Sequence, residues 1–128
     1  MVAHPNRAIL LTATLLGASA VMLGAFGTHA LRQTLGAQQL GWWQTATQYQ
    51  LGHAIALLVI ATLPLRRAPV AAGCIALGTI IFSASLYLMA LGLPRWLGAI
   101  TPIGGLLLIG GWLVLGWSAL ERSGNSVR

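Results

Sequence analysis

Charge in this chain is confined to a handful of points, and the intervals between them limit what it can fold into. The basic side chains are Arg7, Arg32, Arg66, Arg67, Arg95, Arg122 and Arg128, and the one acidic side chain is Glu121. The long intervals between these arginines are uncharged and largely aliphatic. A bilayer core of about 30 Å takes roughly 20 helical residues, and four segments meet that length, at approximately residues 8–28, 45–65, 68–91 and 97–119. A water-soluble domain needs about a quarter of its residues charged, whereas here 6% are charged and 57% are hydrophobic. The expected architecture is an all-α membrane protein: a four-transmembrane-helix bundle over residues 1–120 and a disordered cytoplasmic tail over residues 121–128.

The net charge of +6 is spread along the chain, so it reads as membrane topology and not as nucleic-acid affinity. With four spans, Arg7, Arg66, Arg67, Arg122 and Arg128 share one side and Arg32 and Arg95 the other. The positive-inside rule then places both termini in the cytoplasm. Arg7 precedes the first apolar run as in a signal peptide, but that run exceeds the roughly 7–15 residues of a signal core, and it is read as a mature helix. The turns Pro64-Leu65-Arg66-Arg67-Ala68-Pro69 and Pro94-Arg95-Trp96 are tight, because proline ends one helix and starts the next. The longer connection over residues 30–44 is read as a short interfacial helix between helices one and two, with Trp42 and Trp43 as headgroup anchors.

Ala13, Gly17, Ala20, Gly24 and Gly27 recur at spacings of four and three, and Gly104 and Gly111 lie seven apart. Small residues at such spacing let helix backbones approach closely, and in lipid van der Waals packing replaces the missing hydrophobic force between helices. Gly17, Gly24, Gly27, Gly104 and Gly111 are therefore expected at helix contacts. The lone cysteine, Cys74, leaves no intramolecular disulfide and no CxxC pair.

An ionisable group inside a membrane is a candidate for function, which singles out His53. Counted back from residue 65 it lies about 18 Å from the inner boundary, with Tyr49 and Gln50 on the same helical face. Ser83 lies about 22 Å from that boundary with Tyr87 one turn above it, Thr101 opens helix four, and His29 closes helix one. His53, Gln50, Tyr49, Ser83, Tyr87, Thr101 and His29 are expected to line one polar pocket facing the outer side, above an aliphatic inner half. With no aspartate and with Glu121 at the opposite end, this pocket has no Ser-His-Asp triad, no carboxylate metal site and no acidic coupling group. A haem held by His29 and His53 would have to bridge a depth difference of about 12 Å. No enzyme activity, metal or cofactor is expected.

Four stretches in order, Gly24-Ala25-Phe26-Gly27-Thr28-His29-Ala30, Thr45-Ala46-Thr47-Gln48-Tyr49-Gln50 with His53-Ala54, Phe82-Ser83-Ala84-Ser85-Leu86-Tyr87, and Ile100-Thr101-Pro102-Ile103-Gly104-Gly105, carry a resemblance over about residues 8–119. The chain resembles the small four-helix membrane proteins of the domain of unknown function 423 family, which includes bacterial inner-membrane members and the mitochondrial transmembrane protein 256. It departs from the usual pattern at Thr28, where the family has alanine, and at Ala84, where it has glycine. The resemblance implies a four-helix protein of the cell inner membrane and supplies no activity or catalytic residue. The expected function is a non-enzymatic accessory or assembly component of a membrane complex. Its partners are the lipid bilayer and a membrane protein or second copy met through the small-residue stripes. The alternative is a binder or carrier of a small lipid-like or quinone-like molecule in the outward pocket around His53, and a third reading is a redox subunit.

Overall fold

A computed structural model describes residues 4–125. It contains four long helices, α1 (Arg7–Phe26), α2 (Ala37–Ile60), α3 (Ala68–Ala90) and α4 (Thr101–Asn125). A π-helical turn, Gly27–Leu31, follows α1, and a 3-10 turn, Arg95–Ala99, precedes α4. Among the described residues there is no strand.

Local chemistry sets the helix ends. Asn6 caps α1, its side-chain oxygen accepting from the N–H groups of Ala8 at 3.1 Å and Ile9 at 3.2 Å, two donors that would otherwise lack partners. Pro64 disfavours helical backbone in the residue before it, and α2 closes at Ile60. Pro69 sits in the first turn of α3, where its missing N–H costs nothing. That helix ends in Gly92, whose φ of 95° is the left-handed conformation glycine tolerates. The turn is closed by Leu93 N–H donating to the carbonyl of Leu88 at 3.1 Å.

Two expectations are corrected here. Residues 37–44 do not form a separate interfacial helix; they are the first two turns of α2, continuous to Ile60. The cause is Trp43, which is buried between helices and so draws this stretch into the packed body. The expected tail over residues 121–128 is, as far as it is described, helical, because α4 runs on through Glu121 to Asn125. Glu121 is held by Arg67 and Trp117; residues 126–128 lie outside the described residues.

The helices form an open row and not a closed ring. α1 packs on α2, α2 on α3 and α3 on α4, with a small contact between α1 and α3 and, among the described residues, none between α1 and α4. α3 is interior, and its apolar stretch is more buried than those of α1 and α4. Arg7–Leu31, Ala68–Ala90 and Arg95–Gly124 are long and apolar enough to cross a membrane. α2 falls below that standard in composition, since glutamines at 38, 39, 44, 48 and 50 dilute it.

The seam between α3 and α4 rests on two antiparallel rows of small residues, each repeating every seven positions. Ala71, Gly78 and Ser85 on α3 are buried, as are Gly104, Gly111 and Ser118 on α4. A Cβ at Gly104 would lie 2.5 Å from the backbone nitrogen of Phe82, and one at Gly78 would lie 2.9 Å from the Gly104 carbonyl oxygen. The two backbones are therefore in contact, which only glycine permits. A repeat of seven keeps such a row facing the neighbouring helix along its length.

Candidate functional site

Six of the seven residues expected to converge on one pocket are distributed over three separate places, and His29 lies apart from them. In the first, the buried amide of Gln50 on α2 joins three helices. Its nitrogen donates to the Leu16 carbonyl at 3.0 Å and to Ser19 Oγ at 2.7 Å on α1, and its oxygen accepts from the Tyr87 hydroxyl on α3 at 2.8 Å. Nearby, Ser83 Oγ on α3 donates to the Ala46 carbonyl on α2 at 2.9 Å. A cleft of about 160 Å³ adjoins this network, lined by Gln50, Ser83 and Tyr87 with Leu16, Thr79, Ile80 and Ala84. That volume is below the several hundred Å³ of a small-molecule site.

The second place holds His53 and Tyr49. The His53 ring stacks on Tyr49 with centroids 5.9 Å apart. Its Nδ1 lies 2.8 Å from the Tyr49 carbonyl, and its Nε2 accepts from the Trp112 indole of α4 at 3.2 Å. An Nε2 that accepts while Nδ1 donates defines a neutral imidazole with both nitrogens engaged. The Tyr49 ring also packs on Phe82 at 4.4 Å.

The third place lies at the α4 entry, where Thr101 shares a hydrogen bond of 2.7 Å with Ser85. His29 is exposed in the π-helical turn after α1. The single outward pocket around His53 is thus corrected: His53, Tyr49, Thr101 and His29 do not line the cleft beside Gln50. The depth estimate changes too. With α2 ending at Ile60, His53 is about 10 Å from the C-terminal end of its helix, and Gln50 meets the middle of α1.

The glycines expected at helix contacts differ in their surroundings. A Cβ on Gly27 would lie 2.4 Å from the Trp43 ring, one on Gly111 would lie 2.6 Å from Ile75 Cγ1, and one on Gly17 would lie 3.7 Å from Ala54 Cβ. Gly24 meets nothing within 4 Å. Two further residues hold the helices together in ways the sequence expectations do not include. Gly78 is one, and its signal was the seven-residue row Ala71, Gly78, Ser85 facing Gly104, Gly111, Ser118. The other is Trp43, expected at the headgroups and found buried, its indole donating to the Leu23 carbonyl at 2.8 Å.

At the opposite end Arg67 closes the α3–α4 seam. Its backbone N–H donates to Ser118 Oγ at 3.0 Å, and its guanidinium makes a two-pronged pair with Glu121 at 2.9 and 2.7 Å. Hydrogen bonding to Glu121 raises the Arg67 pKa above its ordinary value, so the cation persists across all working pH.

Replacing Gln50 with leucine is expected to lower stability by about 1–2 kcal/mol, the upper range for interhelical hydrogen bonds in membranes. An unfolding titration from mild detergent into SDS reads this change. The exposed Gln48→Leu serves as the control and is expected to leave the midpoint in place.

Long apolar helices of this kind, tied to one another by buried polar side chains, define an integral membrane protein. A family model described as "Protein of unknown function (DUF423)" matches residues 23–105, and the chain belongs to that family. It is 39% identical to the UPF0382 inner membrane protein YgdD of Escherichia coli K12, over 94% of this chain and 97% of the relative. It is 44% identical to a UPF0382 membrane protein of Staphylococcus epidermidis, over 82% of this chain and 88% of the relative. No solved structure matches. The four sequence stretches that carry the family resemblance are those in which the ties fall: Gly27 against Trp43, Ala46 and Gln50, Ser83 through Tyr87, and Thr101 with Gly104.

Proposed function

We propose that this protein is a non-catalytic, four-span accessory or assembly component of a larger membrane complex. The observation that carries the reading is that Gln50, Ser83, Ser85, Tyr87, Thr101 and His53 each already have an intramolecular partner. A catalytic or binding site needs polar groups held ready for a ligand, and here they hold helices together instead.

α2 is the fourth span in this reading. It runs antiparallel to α1 over the full length of that helix, since Asn6 N–H meets the Ala61 carbonyl at one end and Trp43 meets Leu23 at the other. A helix paired along its whole length with a crossing helix crosses as well. Its glutamines are accommodated because Gln50 is satisfied by neighbours. Four crossings return the chain to its starting side, and the five-to-two arginine asymmetry assigns that side to the cytoplasm.

Gly24 provides the test. A Cβ there meets nothing of its own chain within 4 Å, so Gly24→Leu is expected to leave the fold intact while blocking close approach of a partner helix. An overpacked interface loses about 1–3 kcal/mol, roughly five- to 150-fold in affinity. Purification in mild detergent is expected to recover a stoichiometric membrane partner with the wild-type chain and to lose it with Gly24→Leu. A wild-type chain that runs strictly alone would contradict the reading.

A further inference from the structure

The arginine-rich end of the molecule carries a cleft beside the Arg67 ties to Ser118 and Glu121. It has a volume of about 530 Å³ and is lined by Pro64, Leu65, Arg66, Ser118, Glu121 and Arg122. Its one carboxylate is committed, with Glu121 taken by the Arg67 guanidinium and the Trp117 indole. Among the described residues Arg67–Glu121 is the only ion pair. Arg66 and Arg122 are exposed, and with Glu121 neutralised by Arg67 these two guanidiniums leave the cleft with an uncompensated charge of +2. Arg67 of the same ion pair also lines a mostly apolar groove of about 370 Å³ between α3 and α4, together with Val70, Val114 and Trp117.

From this juxtaposition we infer a binding site for one anionic phospholipid, with its phosphate between Arg66 and Arg122 and an acyl chain along Val70, Val114 and Trp117. Guanidinium is the side chain suited to phosphate, which it meets with paired N–H donors. Basic pockets at helix ends recruit anionic headgroups from the adjoining leaflet. A soluble phosphate compound would satisfy the arginines but would leave the apolar groove unused, and on this ground the membrane lipid is the occupant.

The test is native mass spectrometry of the full chain in mild detergent, equilibrated with equal amounts of phosphatidylglycerol and phosphatidylcholine. One phosphatidylglycerol per chain is expected, favoured over phosphatidylcholine by about fivefold for each arginine. Arg66→Gln with Arg122→Gln should bring the two lipids to near parity. Arg7→Gln, at the same end but outside the cleft, should leave the preference unchanged. No preference in the wild-type chain, or an equal loss with Arg7→Gln, overturns the site in favour of diffuse surface charge. Displacement of the lipid by excess inorganic phosphate would overturn the lipid assignment and assign the arginines to a soluble anion. None of these outcomes depends on whether the chain has a protein partner.

Discussion

Trp43→Ala is expected to destabilise the protein by about 3–5 kcal/mol, the range for removing a buried tryptophan. The indole is 3% exposed and meets three elements at once. Its N–H donates to the Leu23 carbonyl of α1, its ring lies 4.6 Å from Tyr87 of α3 in an edge-on arrangement, and its face fills the space left by the absent side chain of Gly27. Phe26 packs beside it at 6.1 Å. Alanine would remove all of these contacts and leave a cavity where α1 enters its π-helical turn. The loss is read as a fall in the SDS unfolding midpoint. Trp96→Ala, at a side chain 65% exposed, is the matched control and should shift the midpoint by no more than about 0.5 kcal/mol. Equal effects at the two positions would mean that Trp43 is a headgroup anchor after all.

Gly104→Val is the second large effect, expected at about 3 kcal/mol, the upper end of ordinary overpacking. Its new Cβ would meet the Phe82 backbone nitrogen at 2.5 Å and the Phe82 Cα at 2.8 Å. Backbone atoms cannot rotate away, so α3 and α4 must separate. Truncating the neighbour, Phe82→Ala, should fail to rescue the variant, because the clash is with main chain and not with the ring. Gly110→Val is the contrast: one position from the seam's Gly111, it meets nothing within 4 Å, and its unfolding midpoint should stay near wild type. Rescue by Phe82→Ala, or an equal loss at Gly110, would contradict the backbone contact between the two helices.

Much of the scaffold was readable before any coordinates. Charge placement separated the helices, and the prolines at 64, 69 and 94 marked the tight connections because their chemistry acts locally. What escaped was tertiary in origin. The polar run before residue 45 was assigned to the interface because glutamines and tryptophans are common there; nothing local tells a tryptophan in lipid headgroups from one seated on a glycine of another helix. Helical spacing placed Tyr49, Gln50 and His53 on one face, and they do share an arc of roughly 100°. That arc lies on a helix packed between neighbours, so Gln50 turns to α1 and α3 while His53 reaches Trp112 on α4. One face thus serves two seams. The row Gly104, Gly111, Ser118 was half seen, and its opposite row was missed because alanine, glycine and serine differ in character although each is small enough for the crossing.

The Gln50–Tyr87 bond is the most direct point at which to ask whether these polar side chains serve the helices or a ligand. SDS unfolding of the wild type, Gln50→Leu, Tyr87→Phe and the double variant gives their coupling free energy. A coupling of about 0.6–1.7 kcal/mol is predicted, the span found for hydrogen bonds between membrane helices. Losses that simply add, to within about 0.3 kcal/mol, would show the two groups to be independent and would contradict a protein whose polar residues exist to tie its helices.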